Sequence, residues 1–281
     1  MMDLGQLRSF AEVAERGTVA AAAEARGYTP PAVSQHIAKL ETELGFMLFD
    51  RIGRRLRLTS AGGALLPVAL EMIDLERRGR ELVVDAASKP TIVIAGLASA
   101  ISSVVLPALA ELAETLNVEI HEREDAGSLS ELSLGQVDVA LTQEYDDQLP
   151  SRDSRFVYKP VLRDQLRIAL PPTMSASTKL NELSETRWLI NGHDTLCAQS
   201  TISILGRAGI RPIISGTVAD NNALLGLVAV GHGVTIAPES LIAAFDQEVI
   251  VATQDLAISR TIFAVSRRSA SKVLNPVLEM L

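Results

Sequence analysis

The sequence has few of the residues that mark secreted, metal-binding and membrane proteins. It contains one cysteine, Cys197, so an intramolecular disulfide is excluded. The four histidines, at positions 36, 121, 193 and 232, are scattered and show no metal-ligand spacing. No apolar run approaches the roughly 18 residues of a membrane span, and the amino-terminal segment lacks the basic start and apolar stretch of a signal peptide. We therefore expect a cytoplasmic protein with no metal site.

Catalytic motifs are also absent from the sequence. There is no Gly-x-Ser-x-Gly nucleophile turn and no phosphate-binding loop. Gly231-His232-Gly233 lacks the third glycine of a dinucleotide loop and follows a predicted helix. We therefore predict no catalytic residue, no enzyme activity and no cofactor, and we interpret Cys197 as a buried, small apolar residue.

The formal net charge of −8 is unevenly distributed. Residues 1–89 hold 12 Lys and Arg against 12 Asp and Glu, whereas residues 90–281 hold 14 against 22. The segment 51–57 contains Arg51, Arg54, Arg55 and Arg57 and no acidic residue. Because the local field decides phosphate binding, an acidic protein of this kind can still bind nucleic acid.

Three short helices are predicted at the amino terminus. The first covers about 3–16, and the second covers 20–26 with Thr18 as its N-cap. Thr29 caps the third helix and Pro30 fits its first position. Val33, Ile37, Leu40 and Leu44 form the apolar stripe of that third helix, while its opposite face is small and polar. This face is typical of a recognition helix that enters the DNA major groove, although a solvated face of an ordinary bundle has the same pattern.

A basic hairpin and a long helix follow. Phe49–Arg51 and Leu56–Leu58 are predicted strands around a Gly53-Arg54-Arg55 turn, which completes a winged helix-turn-helix. A helix capped by Thr59 or Ser60 is predicted to reach about Ala87, with a bend or delayed start near Pro67. Its unpartnered apolar stripe predicts pairing with a second copy of the chain.

The remainder alternates between strands and helices. Strands are predicted at 91–95, 118–123, 137–142, 166–170, 188–190, 212–216, 234–237 and 256–265, and helices at 102–116, 128–134, near 180, 197–207 and 222–230. This order predicts two α/β lobes joined by crossing strands, with a ligand cleft outside the carboxyl ends of the strands.

The chain resembles the LysR-type transcriptional regulator family over essentially its whole length. The matching positions are Leu4, Leu7, Phe10, Ala32-Val33-Ser34, Ile37, Leu40-Glu41, Leu44-Gly45, Leu48-Phe49, Arg51, Leu58-Thr59, Gly62, Leu106-Pro107, Gly135–Ala140 and Val228–Ser240. The resemblance implies a winged helix-turn-helix, a dimerising linker helix, a periplasmic-binding-protein-like effector domain, and assembly into dimers or tetramers. The expected domains are 1–59, 60–89 and 90–281, with lobe I at about 90–163 and 256–281 and lobe II at about 164–255.

Three positions depart from the family pattern. Pro30 stands where the family usually has a glutamine that contacts a base, so base preference is expected to differ. Ala98 and Ala100 stand where the family usually has Ser or Thr, and the nearby hydroxyls belong to Ser99, Ser102 and Ser103.

Residues of the recognition helix, the helix starts and the wing are the predicted DNA contacts. They are Thr18, Thr29, Pro31, Ser34, Gln35, His36, Lys39, Arg51, Arg54, Arg55 and Thr59. Residues at strand ends or helix starts are the predicted effector contacts, with helix capping as the alternative role for Ser102, Thr195 and Asn221. They are Ala98, Ser99, Ala100, Ile101, Ser102, Thr142, Gln143, Asp194, Thr195, Asn221 and Asn222. Amides at the start of the helix predicted at Ser102 suit a carboxylate or another small anion.

The favoured function is sequence-specific transcriptional regulation under the control of a small-molecule effector. The predicted partners are double-stranded DNA, further copies of the chain, and RNA polymerase, with no membrane. A solute-binding transport protein would share the two lobes but not the first 89 residues, and a structural adaptor would not need a groove-competent helix beside an arginine wing.

Overall fold

The computed structural model describes residues 2–53, 55–85, 89–150, 152–192, 195–268 and 274–281. The chain forms two compact units. The first comprises Met1–Ala95, Glu111–Ala140 and Ser269–Pro276, and the second Gly96–Ala110, Leu141–Arg268 and Val277–Leu281. The domain and lobe boundaries predicted from the sequence remain predictions.

The first unit begins with the three predicted helices: α1 (Leu4–Arg16), α2 (Val19–Arg26) and α3 (Pro30–Leu44). Each starts at a side-chain cap, because Asp3, Thr18 and Thr29 accept backbone N–H groups of the first turn. Each ends at a glycine with positive φ, a conformation that glycine adopts without steric cost. The predicted boundaries of the first two helices hold to within one residue, and both threonine caps are confirmed.

The wing and the long helix complete the amino-terminal part. Strand β1 (Phe49–Ile52) pairs antiparallel with β2 (Arg55–Leu58), as predicted, and Arg54 lies outside the described residues. Helix α4 (Ser60–Asp85) starts directly at the Thr59 cap, whose Oγ1 accepts the Gly62 N–H at 3.0 Å. The delayed start near Pro67 is therefore wrong, since α1 packs along α4 and the ring removes only one helical donor.

The apolar stripe of α3 is confirmed as core. Val33 and Leu40 are fully buried and pack with Leu7 and Phe10 of α1. The Phe10 ring lies 5.4 Å from that of Phe49, so the wing joins the same core.

A small sheet follows in the first unit. Strand β3 (Thr91–Gly96) lies between β4 (Asn117–Glu122) and the start of β5 (Val139–Tyr145), with Ile94 opposite Val139 in parallel register. Helix α7 (Asp125–Ser133) precedes β5.

The helix expected from Ser102 begins four residues earlier. It consists of α5 (Ala98–Ala100), a π-helical turn (Ile101–Val105) and α6 (Leu106–Thr115). Together these 18 residues have a mean hydropathy of 1.2, enough in length and composition for a membrane span. The sequence prediction that no segment meets those two criteria is thereby corrected, although the core helices of soluble proteins meet them as well.

The second unit is built on β6 (Phe156–Leu170), which is ten residues longer at its start than predicted. Strand β11 (Ser259–Arg267) pairs antiparallel along β6 and also neighbours β5, while β9 (Thr235–Pro238) and β10 (Ile250–Val251) pair with the end of β6. The first half of β6 was not predicted, because polar residues such as Lys159 and Asp164 interrupt its apolar pattern. The predicted return of the last strand to the earlier set is confirmed.

A parallel pair and further helices complete the described part of the chain. Strand β7 (Arg187–Ile190) pairs with β8 (Ile213–Thr217) around the fully buried Trp188. The remaining elements are a 3-10 turn (Leu180–Leu183), α8 (Leu196–Arg207), α9 (Asn221–Ala229), α10 (Glu239–Ala243) and α11 (Leu274–Met280). Of these, α10, α11 and strand β10 were not predicted.

Candidate DNA-binding surface and effector site

One face of α3 carries the predicted base contacts. Pro31, Ser34, Gln35 and Lys39 are exposed, while Val33 and the rest of the apolar stripe are buried on the other side. Small and hydrogen-bonding side chains on an exposed helix face can reach base edges in the major groove.

His36 belongs to a different environment. Its Nδ1 lies 2.8 Å from the Ser9 hydroxyl on α1, and its ring meets that of Tyr28 edge-on at 5.7 Å. The side chain therefore helps to hold α3 against α1, and the structure does not bring it to the face formed by Ser34, Gln35 and Lys39.

Hydrogen bonds from backbone N–H groups of the wing fix it to the three-helix core. The Glu41 Oε1 accepts the N–H groups of Leu48 at 2.7 Å and Phe49 at 3.4 Å. On the other strand the Leu56 N–H donates to the Gly17 carbonyl at 2.8 Å. Glu41 thus positions the wing. This role was not predicted, although Glu41 directly follows Leu40 of the apolar stripe.

The described basic residues of the wing, Arg51, Arg55 and Arg57, are exposed, and the first two are predicted DNA contacts. The predicted threonines serve first as caps: Thr18 and Thr29 begin α2 and α3, and the Thr59 hydroxyl also donates to the Met47 carbonyl at 2.8 Å. The N-termini of α2, α3 and α4 carry the partial positive charge of a helix start.

A buried arginine organises two of the predicted effector residues. Arg260, 1% exposed on β11, stands opposite Asp164 on β6 and donates from Nη2 to Asp164 Oδ2 at 3.1 Å. Its Nη1 donates to the Ser99 hydroxyl at 3.0 Å and to Gln143 Oε1 at 3.5 Å. Asp164 also accepts the Ser240 N–H and hydroxyl. Arg260 was not among the predicted site residues, although its charge inside an apolar strand was an available signal.

A second cluster gathers around Asn191 at the end of β7. The Asn191 Nδ2 donates to Asn221 Oδ1 at 2.8 Å, and the Asn191 carbonyl accepts the Thr195 hydroxyl. Thr195 caps α8, which was the alternative role predicted for it. Asn221 is not a cap, because Asp220 caps α9.

Tyr145 connects the cluster around Arg260 with Cys197. Its hydroxyl donates to Gln143 Oε1 at 3.3 Å and also reaches the thiol of Cys197 on α8. Burial raises the pKa of the Cys197 thiol, an effect that the Tyr145 hydrogen bond and the Arg260 charge only partly oppose. The interpretation of Cys197 as a buried residue is confirmed.

The other predicted effector residues are not brought into these clusters. Thr142 is buried on β5, where alternation directs it away from the Gln143 face, and Asn222 is exposed on α9. Because the helix starts at Ala98, its first turn holds Ala98, Ser99 and Ala100, whereas Ser102 lies within the π turn and cannot cap it. Asp194 lies outside the described residues, which contain no group of three potential metal ligands.

Comparison with known proteins gives a consistent result. Residues 4–63 match the family "Bacterial regulatory helix-turn-helix protein, lysR family", and residues 86–281 match "LysR substrate binding domain". The transcriptional regulator TfdS of Cupriavidus pinatubonensis is 30% identical over 254 residues, which cover 86% of this chain and 84% of that protein. The transcriptional dual regulator GltC of Bacillus subtilis is 28% identical, with 86% and 82% covered.

Solved structures share the fold. Full-length OxyR from Pseudomonas aeruginosa is 21% identical with a TM-score of 0.65, covering all of this chain and 93% of that one. The regulator CbnR is 24% identical with a TM-score of 0.56, and 99% of each chain is covered.

Proposed function

The chain belongs to the LysR family of DNA-binding transcriptional regulators with an effector-binding domain, and from this we propose that α3 and the wing recognise its DNA target while a small anion near Ser99 controls it. The observation that carries the DNA assignment is the exposed polar face of α3 beside a wing held by Glu41.

For base recognition we assign Ser34, Gln35 and Lys39, with Pro31 in apolar contact with a thymine methyl. Pro30 cannot donate or accept the side-chain hydrogen bond of the usual family glutamine, so a shifted base preference is expected. For phosphates we assign Arg51, Arg54 and Arg55 together with the helix starts at Thr18, Thr29 and Thr59.

The chemistry around Ser99 supports an anionic effector such as a carboxylate. Since the Ser99 oxygen accepts from Arg260, its hydroxyl hydrogen points elsewhere and can donate to a ligand. Leu97 offers no side-chain cap to α5, and its carbonyl accepts the Ala100 and Ile101 N–H groups, which leaves the Ala98 and Ser99 N–H groups of the first turn as donors. The π-helical turn that follows is a feature often found at functional sites.

Contacts within the first unit support a route from the effector domain to DNA. Gln136 donates to Glu12 of α1 at 2.8 Å. Asp138, at the start of β5, accepts Arg77 of α4 at 2.9 Å and the Val93 N–H at 3.0 Å. A ligand-dependent shift of β5 would therefore act on the linker helix and on the helix that supports α3.

The surface of α4 supports self-association. Val68, Leu75 and Val83 are between 51% and 74% exposed, and such apolar residues on a helix are usually covered by a partner. We propose a homodimer through α4 that acts in the cytoplasm on double-stranded promoter DNA, contacts RNA polymerase, and catalyses no reaction.

Selection of bound duplexes from a random pool tests the DNA assignment. Gln35→Ala should relax the enriched sequence, while Arg55→Ala should weaken all duplexes alike and lower the salt slope of binding by about one unit. The same is expected for Arg54→Ala. Arg207→Gln, an exposed arginine on α8, serves as the control. An unchanged salt slope in Arg55→Ala would contradict the wing assignment.

A thermal-shift screen with a metabolite library tests the effector assignment. Carboxylates or other small anions should raise the melting temperature, and Ser99→Ala should reduce that gain. Stabilisation by cationic or purely apolar compounds alone would contradict it.

A further inference from the structure

A cavity of about 390 Å³ lies in the first unit, among α1, the end of α2 and the middle of α4. Its walls carry four arginines: Arg8, Arg26, Arg77 and Arg80. Glu76 is the acidic residue among the described side chains that line it. The assigned roles of DNA contact and effector contact use none of these residues.

The ion pairs around the cavity leave positive charge in excess. Arg77 pairs with Asp74 and Asp138, both at 2.9 Å, and Asp74 also pairs with Arg78 at 3.3 Å, so this group of four is neutral. By contrast, the single carboxylate of Glu76 serves two arginines.

Those two arginines are Arg8, whose Nη2 lies 2.6 Å from Glu76 Oε2, and Arg80, which binds the other oxygen. Together with Glu76 they carry one net positive charge. Arg26 adds a second positive charge, because its Nε is buried and meets no hydrogen-bond acceptor among the described residues. A surplus of two charges in a concave site suits a dianion.

Packing holds Arg26 in place for such a ligand. Its guanidinium lies 5.3 Å from the centre of the Tyr28 ring, and Tyr28 in turn meets His36 of α3 edge-on. His36 is fixed by Ser9 at 2.8 Å. The cation is thus positioned by the recognition helix itself, with donors left for a partner.

We propose that this cavity binds a phosphoryl dianion, either inorganic phosphate or a small phosphate monoester, as a second ligand site distinct from the effector cluster around Ser99. The guanidinium groups of Arg26, Arg8 and Arg80 donate to its oxygens. The bound anion links α2 to α4, so that it fixes the recognition helix relative to the linker helix.

Isothermal titration calorimetry of the full chain with potassium phosphate tests this site, against potassium chloride at equal ionic strength. Saturable binding is expected for phosphate and not for chloride. Arg26→Gln should weaken it about tenfold through loss of a charge-assisted hydrogen bond, and Arg80→Gln roughly threefold, since Arg80 is mostly exposed. Arg207→Gln should bind like the unaltered chain.

Two further measurements keep the result decisive. Thermal unfolding without phosphate establishes that each variant is folded, and glycerol phosphate in place of phosphate shows whether a monoester fits. Absence of saturable binding, or equal binding by Arg26→Gln, would overturn the proposal. Displacement of phosphate by a non-specific DNA duplex would also overturn it, because the cavity would then hold the DNA backbone.

Discussion

Replacing Arg260 by methionine tests whether the Arg260–Asp164 pair is what holds the effector cluster together. Both side chains are buried, 1% and 5% exposed, and they face each other across β11 and β6. Removal of the arginine leaves a buried carboxylate without its cation, a change that costs roughly 3–5 kcal/mol. Since Ser240 still donates two hydrogen bonds to Asp164, we expect the lower end, about 3 kcal/mol.

Urea unfolding followed by the fluorescence of Trp188 measures this cost, because the single tryptophan lies fully buried in the same unit. The midpoint should fall while the slope stays constant. Adding Asp164→Asn to Arg260→Met should recover part of the loss, since no unpaired charge then remains.

Arg163→Met is the matched control for this prediction. Arg163 directly precedes Asp164 on β6, but its side chain is 65% exposed and pairs with Asp146 at the surface. Such a pair contributes about 0–1 kcal/mol. A loss below about 1 kcal/mol in Arg260→Met, with no recovery in the double variant, would refute the reasoning, because the buried pair would then behave like a surface pair.

Three further outcomes follow from individual contacts. Glu41→Ala should lower the free energy of unfolding by about 1.5 kcal/mol and weaken binding to all duplexes, because the Leu48 N–H loses its acceptor; unchanged affinity would contradict its role in the wing. Gly62→Ala should cost about 1–3 kcal/mol in chemical denaturation, since a Cβ would lie 2.2 Å from the Leu48 carbonyl oxygen, whereas Gly63→Ala meets no atom within 4 Å. Cys197 should react slowly with iodoacetamide near neutral pH, because burial raises its pKa and disfavours the thiolate, and urea should restore the rate; equal rates in both conditions would contradict its burial.

Local signals made the amino-terminal part predictable. The Thr18 and Thr29 caps act within three residues of their own positions, and Pro30 needs only the first turn of α3. The buried stripe of Val33 and Leu40 follows from helical periodicity alone. His36 shows the limit of such reasoning, since the side chain lies at the edge of the exposed face and its direction is set by Ser9 on another helix.

The effector cluster was only half predictable, because its centre depends on strand register. Ser99 and Gln143 could be nominated from their places at a helix start and near a strand end. Arg260 and Asp164 are 96 positions apart, and only the antiparallel register of β11 with β6 sets them opposite each other. A register shifted by one residue would place Arg260 on the other face, so periodicity alone could not identify the pair.

The contacts made by Glu12 and Asp138 show why the proposed route from the substrate-binding-domain match to the helix-turn-helix match could not be predicted from the sequence. Glu12 belongs to the helix-turn-helix match and is 1% exposed, a burial that its place on an amphipathic helix did not suggest. Its carboxylate is satisfied by Arg16 at 2.8 Å and by Gln136, a residue of the substrate-binding-domain match. Asp138 likewise joins Arg77 of α4 to the Val93 N–H of β3. Glu12 takes its cation from its own matched segment and a donor from the other one, whereas Asp138 takes its cation from α4, between the two matches, and a donor from its own segment. The buried charge of Glu12 therefore has a structural reason only when both segments are folded together.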